Sequence, residues 1–156
     1  MVNGQSVNGQ LVNGYLSVNR QWKKGDVVTI HFDMPVRTVK ANVAVKDDRG
    51  RVAVERGPLV YCAEGVDNTG FSIFNFLMPR HPRFTVADRD IKGLRDVNFS
   101  VKAIEVDGQV VETNPRGEAL VKAARLTMIP YYAWNHRGAG LMEVWMPQSI
   151  SALGNY

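Results

Sequence analysis

Apolar and polar residues alternate with a period of two along most of the chain, the spacing of strands that bury one face. In DVVTIHFD, Val28, Ile30 and Phe32 fall on one side and Val27, Thr29 and His31 on the other. Similar short runs follow at TVKANVAV, RVAVE, PLVYCAE, FSIFNFL, FSVKAIEV, LVKAARLTMI and LMEVWM, punctuated by Gly, Pro, Asn or Asp. Ala119 to Met128 comes nearest to a helical stripe, and Pro130 closes it. Many short strands joined by polar turns predict an all-β chain, an antiparallel β-sandwich of jelly-roll type with little or no helix. The length of 156 residues fits one domain, so a single sandwich is expected over 1–156.

Turn chemistry refines the pattern. Val-Asn-Gly occurs three times, five residues apart, between Val2 and Gly14. Asn-Gly is the strongest two-residue hairpin signal, because both residues tolerate positive φ. Tight hairpins at all three copies would leave too few residues between them. One real turn is therefore expected, at Asn8-Gly9 or Asn13-Gly14, feeding the strand YLSVNRQW, with 1–12 extended or partly ordered. Asp107-Gly108, between VKAIEV and QVVET, reads as a cleaner hairpin. Gly57-Pro58 reads as the bend between RVAVE and LVYCAE. Trp22 is expected to pack inward, and the aromatic stretch from Phe71 to Phe84 to form an exposed apolar patch.

Composition narrows the function classes. A net charge of +4 with a pI near 9.4 invites an anionic partner. The basic residues, however, are interleaved with acidic ones, as in Lys46-Asp47-Asp48-Arg49-Gly50-Arg51, which argues against a nucleic-acid face. No apolar run is long enough to span a bilayer, so no membrane partner is expected. No secretory signal is present in the chain, and its compartment stays open. Cys62 is the one cysteine, which excludes an internal disulfide framework and a cysteine-rich zinc site built from this chain alone.

Glycoside hydrolysis needs two carboxyl groups flanking one bond. Glu55 with Glu64, and Asp67 with Glu143, are the pairs considered, and local ion pairing explains them more simply. His31, His81 and His136 are scattered without metal-ligand spacing. The cluster Tyr131, Tyr132, Trp134, Asn135 and Arg137 in PYYAWNHRG has rings for stacking and polar groups for hydroxyls or carbonyls. Interdomain packing, core packing and direct carbohydrate contact all remain open for it.

The joined segments NGYLSVNRQWKKGDVVTIHFDMPVRTVKAN, DRGRVAVERGPLVYCAEGVDN and LTMIPYYAWNHRGAGLMEVWMP closely resemble the C-terminal β-sandwich region of glycoside hydrolase family 127, the β-L-arabinofuranosidase family. The resemblance implies a longer enzyme in which a catalytic (α/α)6 barrel precedes this region. In that barrel a cysteine nucleophile and glutamates work beside a zinc ion held by several cysteines. It therefore implies no catalytic residue, metal site or cofactor in this chain, and Cys62, in a sandwich strand, does not inherit the nucleophile's role. The implied function is a noncatalytic accessory domain that supports the barrel, a homodimer, or both. The alternative is a carbohydrate-binding module for arabinose-containing, plant-type glycans.

Overall fold

The computed structural model describes residues 1–93 and 98–153. Where a single sandwich over 1–156 was expected, the chain divides into two compact units, Met1–Asp33 and Met34–Tyr156.

In the first unit, β1 (Gln10–Val12) and β2 (Tyr15–Ser17) form an antiparallel hairpin. Its turn is Asn13-Gly14, with φ of 50° and 83° as a type I′ turn requires. Asn3-Gly4 makes a second such turn, with φ of 52° and 77°, closed by reciprocal backbone bonds between Val2 and Gln5. Two of the three Asn-Gly copies are thus real turns, one more than expected. The extreme N-terminus is ordered by neighbours far along the sequence. The Asn3 side chain donates to Asp26 and accepts the Val27 N–H, and Met1 exchanges bonds with Thr29. DVVTIHFD, expected as a strand, makes only an isolated bridge from Val28 to Val2. Trp22 does not pack inward. It is half exposed, with the Arg20 guanidinium 5.1 Å above its ring.

In the second unit, one antiparallel ladder joins β3 (Val36–Val39), β4 (Arg51–Arg56), β5 (Leu59–Glu64), β6 (Phe76–Leu77), β7 (Phe84–Lys92), β8 (Asn98–Thr113), β9 (Ala119–Pro130), β10 (Met142–Glu143) and β11 (Met146–Pro147). Its spine runs β11-β4-β5-β9-β8-β6, with β3 on β4, β7 on β8 and β10 on β5. The all-β, antiparallel class expected from the alternation is what forms. Among the described residues the helical segments are single 3-10 turns.

Strand periodicity sorts the core onto two faces. Val54, Tyr61, Ala63, Ile104, Leu126 and Met128 share one, closed over by Ile73, Phe76, Met78 and Met146. Cys62, Val101 and Ile129 share the other, with Ile91, Ala133 and the partly buried Trp134. Each fully buried aliphatic side chain contributes roughly 1.5–3 kcal/mol, so both faces are held firmly.

Three further expectations change. FSIFNFL is a 3-10 turn at Ile73–Asn75 followed by the two-residue β6. Ile73 and Phe76, three apart, turn to the same side and are fully buried, so the predicted exposed patch is core. Asp107-Gly108 is not a hairpin, because β8 runs straight through it with Gly108 opposite Ala124. The reversal comes at Asn114–Glu118 instead, where Oδ1 of Asn114 accepts the N–H groups of Arg116 and Glu118. Gly57-Pro58 is the expected tight turn between β4 and β5, Gly57 having a φ of 56°.

Candidate functional site

The predicted cluster follows β9 directly. Pro130 ends the strand, Tyr131–Ala133 form a 3-10 turn, and the Trp134 N–H donates to the Tyr131 carbonyl. Asn135 then takes a left-handed φ of 66° and Gly138 one of 101°, which folds the segment back toward the end of β5. This return brings Arg137 onto two carboxylates.

Glu64 is the last residue of β5 and Asp67 lies in the 3-10 turn Gly65–Asp67 that follows. Arg137 donates to both oxygens of Asp67 at 2.6 Å, and its Nη2 also donates to Oε2 of Glu64. Arg89, from β7, donates to Oδ1 of Asp67 at 2.7 Å, and the Asn135 N–H reaches Oε1 of Glu64 at 3.2 Å. The side chains of Asp67 and Glu64 are only 1% and 6% exposed, so two buried carboxylates are held by the Arg137 guanidinium, with the more exposed Arg89 at the edge. Hydrogen bonding to Asp67 raises the Arg137 pKa further above its ordinary value, locking in the charge. The buried Asn68 carboxamide donates to the carbonyls of Glu64 and Thr127 and accepts the Thr127 N–H, which ties this corner to β9.

The five predicted residues therefore do not converge on an open binding face. Tyr131 and Tyr132 are exposed, Tyr131 stacks on Trp134 at 5.9 Å between centroids, and Trp134 leans on the Cys62–Ile129 core. Arg137 is spent on carboxylates rather than offered to a ligand. The carboxylate pairs read from the sequence are also separated into ion pairs. Glu55 binds Arg37 across the β3–β4 ladder at 2.8 Å, and Glu143 binds Arg51 at 2.6 Å. Burial pushes the Glu143 carboxyl up to about 7 despite Arg51, and its Oε2 is buried without a hydrogen-bond partner among the described residues.

Local ion pairing was expected for Glu64, but its partner Arg137 lies 73 residues away. The signal for Arg137 was the left-handed Asn-x-x-Gly return, which carries no periodicity to read. An open groove of about 660 Å³ lined by Lys40, Arg49, Arg80 and His81, among others, shares no residue with the cluster.

Residues 36–147 match the glycoside hydrolase family 127 C-terminal domain, and residues 1–34 match the GH127 middle domain of β-L-arabinofuranosidases. The chain belongs to glycoside hydrolase family 127. The join between the two matches falls where the two compact units meet in sequence. A non-reducing end β-L-arabinofuranosidase of Bifidobacterium longum is 34% identical over 141 residues, 83% of this chain and 20% of that protein. A solved GH127 β-arabinofuranosidase is 49% identical with a TM-score of 0.84, over 99% of this chain and 23% of that one. Another, the GH127 β-L-arabinofuranosidase of Geobacillus stearothermophilus T6, is 34% identical with a TM-score of 0.71, over 94% of this chain and 24% of that one. The chain thus spans about a fifth to a quarter of the length of these relatives.

A zinc ion held by several cysteines does not fit the residues present. Cys62 is fully buried, burial first and Glu64 second push its thiol up to about 12, and among the described residues no three His, Cys, Asp or Glu gather as ligands.

Proposed function

We propose that this chain is a noncatalytic accessory part of a GH127 enzyme of the β-L-arabinofuranosidase type, supporting the catalytic barrel of the longer protein. One observation carries the reading: the buried carboxylates Glu64 and Asp67 are both bound to the Arg137 guanidinium. A glycosidase needs one carboxyl group free to donate a proton and a second facing the same bond. Here Glu64 and Asp67 share one guanidinium, and that arrangement holds a loop rather than a substrate. The exposed Tyr131 and Tyr132, on a segment braced from beneath by Arg137, form a stiff contact surface suited to a neighbouring domain.

The test is the purified chain offered an aryl β-L-arabinofuranoside, followed by calorimetric titration with arabinose-, galactose- and xylose-containing oligosaccharides. No turnover and no saturable heat at millimolar ligand are expected. Hydrolysis above the no-protein control would overturn the noncatalytic reading. Saturable heat abolished by Tyr132→Ala would replace it with a carbohydrate-binding module.

A further inference from the structure

Val-Asn-Gly begins at Val2, Val7 and Val12, three copies of one tripeptide, and all three asparagines are exposed. What separates the copies is how each asparagine is held. In the first, both ends of the Asn3 carboxamide are engaged: Nδ2 donates to Oδ1 of Asp26 at 2.8 Å, and Oδ1 accepts the Val27 N–H at 2.9 Å. Its backbone is fixed as well, in the turn closed by Val2 and Gln5, with the Asn3 N–H donating to the Val27 carbonyl. In the third copy, the Asn13 carboxamide bonds to no described residue, but its backbone is set at a φ of 50° between the paired Val12 and Tyr15. In the second, Asn8 lies outside any turn, bridge or strand, and its carboxamide also bonds to no described residue.

Asparagine is chemically labile, and a following glycine, lacking Cβ, leaves its peptide nitrogen open to the asparagine side chain. That nitrogen attacks Cγ, forming an N–Cγ bond and a cyclic imide. Its proton passes to solvent base, and the Cγ–Nδ2 bond breaks to release ammonia. Water then opens the ring at either carbonyl, leaving an aspartyl residue or, where the original peptide bond is the one cleaved, an isoaspartyl residue. One water enters, one ammonia leaves, and nothing is oxidised or reduced. Closure requires the carboxamide to swing onto the next peptide nitrogen and the backbone to turn to meet it.

We propose that Asn8 is a site of spontaneous deamidation in the folded chain, from which Asn3 is protected by its bonds to Asp26 and Val27. Closure at Asn3 must break both side-chain bonds and open the Val2–Gln5 turn. Asp26 stays ionised, because the hydrogen bond from Asn3 lowers its pKa, so one of those bonds is to a charged acceptor. Closure at Asn13 leaves no side-chain bond to break but must distort the hairpin turn. Asn8 has neither obstacle. The expected order is Asn8, then Asn13, then Asn3, with Asn3 at least about tenfold slower than Asn8, the factor set by losing a hydrogen bond to a charged group. The product places a negative charge just ahead of β1, and the isoaspartyl form also lengthens the main chain there by one carbon. None of this depends on the chain being noncatalytic.

The whole chain is incubated in mildly alkaline buffer and digested with trypsin. Fragmentation of the peptide ending at Arg20 then places each mass gain on one asparagine. The folded chain should show the order Asn8, Asn13, Asn3. In guanidinium chloride the copies keep their shared tripeptide but lose their different settings, so their rates should converge to within about twofold. Asn8 failing to react first, Asn3 reacting as fast as Asn8 in the folded chain, or the same order persisting in denaturant would each overturn the proposal.

Discussion

Arg137 grips Asp67 with both terminal nitrogens, Nη1 on Oδ1 and Nη2 on Oδ2, each at 2.6 Å. Seventy residues apart in sequence, the two close the aromatic segment onto the end of β5. Asp67 keeps a second cation in Arg89, whereas among the described residues Glu64 has Arg137 as its one ion-pair partner.

Removing one member of such a buried group leaves a charge without compensation, at a cost of about 3–5 kcal/mol. Arg137→Ala should fall in that range, read from the urea denaturation midpoint. Arg89→Ala should cost clearly less, because the Arg89 side chain is 37% exposed and partly screened by solvent. Equal losses from the two variants would mean that Arg137 is not the centre of the cluster.

Gly108 should tolerate no side chain, although no turn requires it. A Cβ there would meet the Phe76 ring and come within 2.7 Å of the Leu77 carbonyl oxygen, where β6 crosses close to β8. Gly108→Ala should destabilise by about 1–3 kcal/mol through overpacking, and Phe76→Leu in the same chain should recover part of the loss by vacating the ring position. Thermal melts of the single and double variants measure this. An unchanged melting temperature for Gly108→Ala would show that the ring gives way freely.

Gly108 also marks the limit of what the sequence discloses. Asp-Gly is the same dipeptide whether it turns a hairpin or lets a phenylalanine approach a continuous strand, and only the partner decides. What was legible came from local period. The alternation in RVAVE, LVYCAE and LVKAARLTMI became β4, β5 and β9, and Gly57-Pro58 became their tight turn. DVVTIHFD has the same alternation but makes only an isolated bridge, because pairing depends on a neighbour that propensity does not supply. At the candidate site, the aromatic residues stood out by type. The Glu64–Arg137 and Asp67–Arg137 pairs did not, since a contact spanning some seventy positions leaves no spacing to recognise.

Cys62 should be chemically silent while the chain is folded. Its thiol is fully buried and pushed up to about 12, chiefly by burial and then by the neighbouring Glu64 carboxylate. At pH 8 the lost thiolate alone slows reaction with an aromatic disulfide roughly a thousandfold relative to an ordinary cysteine. Labelling should become fast on addition of denaturant. Rapid labelling of the folded chain would show that β5 opens readily, against the paired ladders on both its sides.

Glu143 gives the fold a pH dependence of unusual sign for a carboxylate. Burial raises its pKa to about 7, outweighing the attraction of Arg51 at 2.6 Å, and leaves Oε2 without a hydrogen-bond partner among the described residues. In the unfolded chain the same group returns to the ordinary value of 4.5. Between those two values the folded state binds more protons than the unfolded state, so stability falls as pH rises. The contribution is fully present below about 4.5 and lost as pH passes through about 7. Asp26 and Asp107 have lowered pKa values, from side-chain hydrogen bonds with Asn3 and Arg125 respectively, and they act in the opposite sense at more acid pH. Glu143→Gln isolates the buried group, because the amide keeps the shape of the protonated acid but does not titrate. The stability of the parent minus that of the variant, measured by denaturation at a series of pH values, should decline from pH 4.5 to 7 and then level off. A difference that stays flat or rises across that window would show that Arg51 keeps Glu143 ionised in the fold.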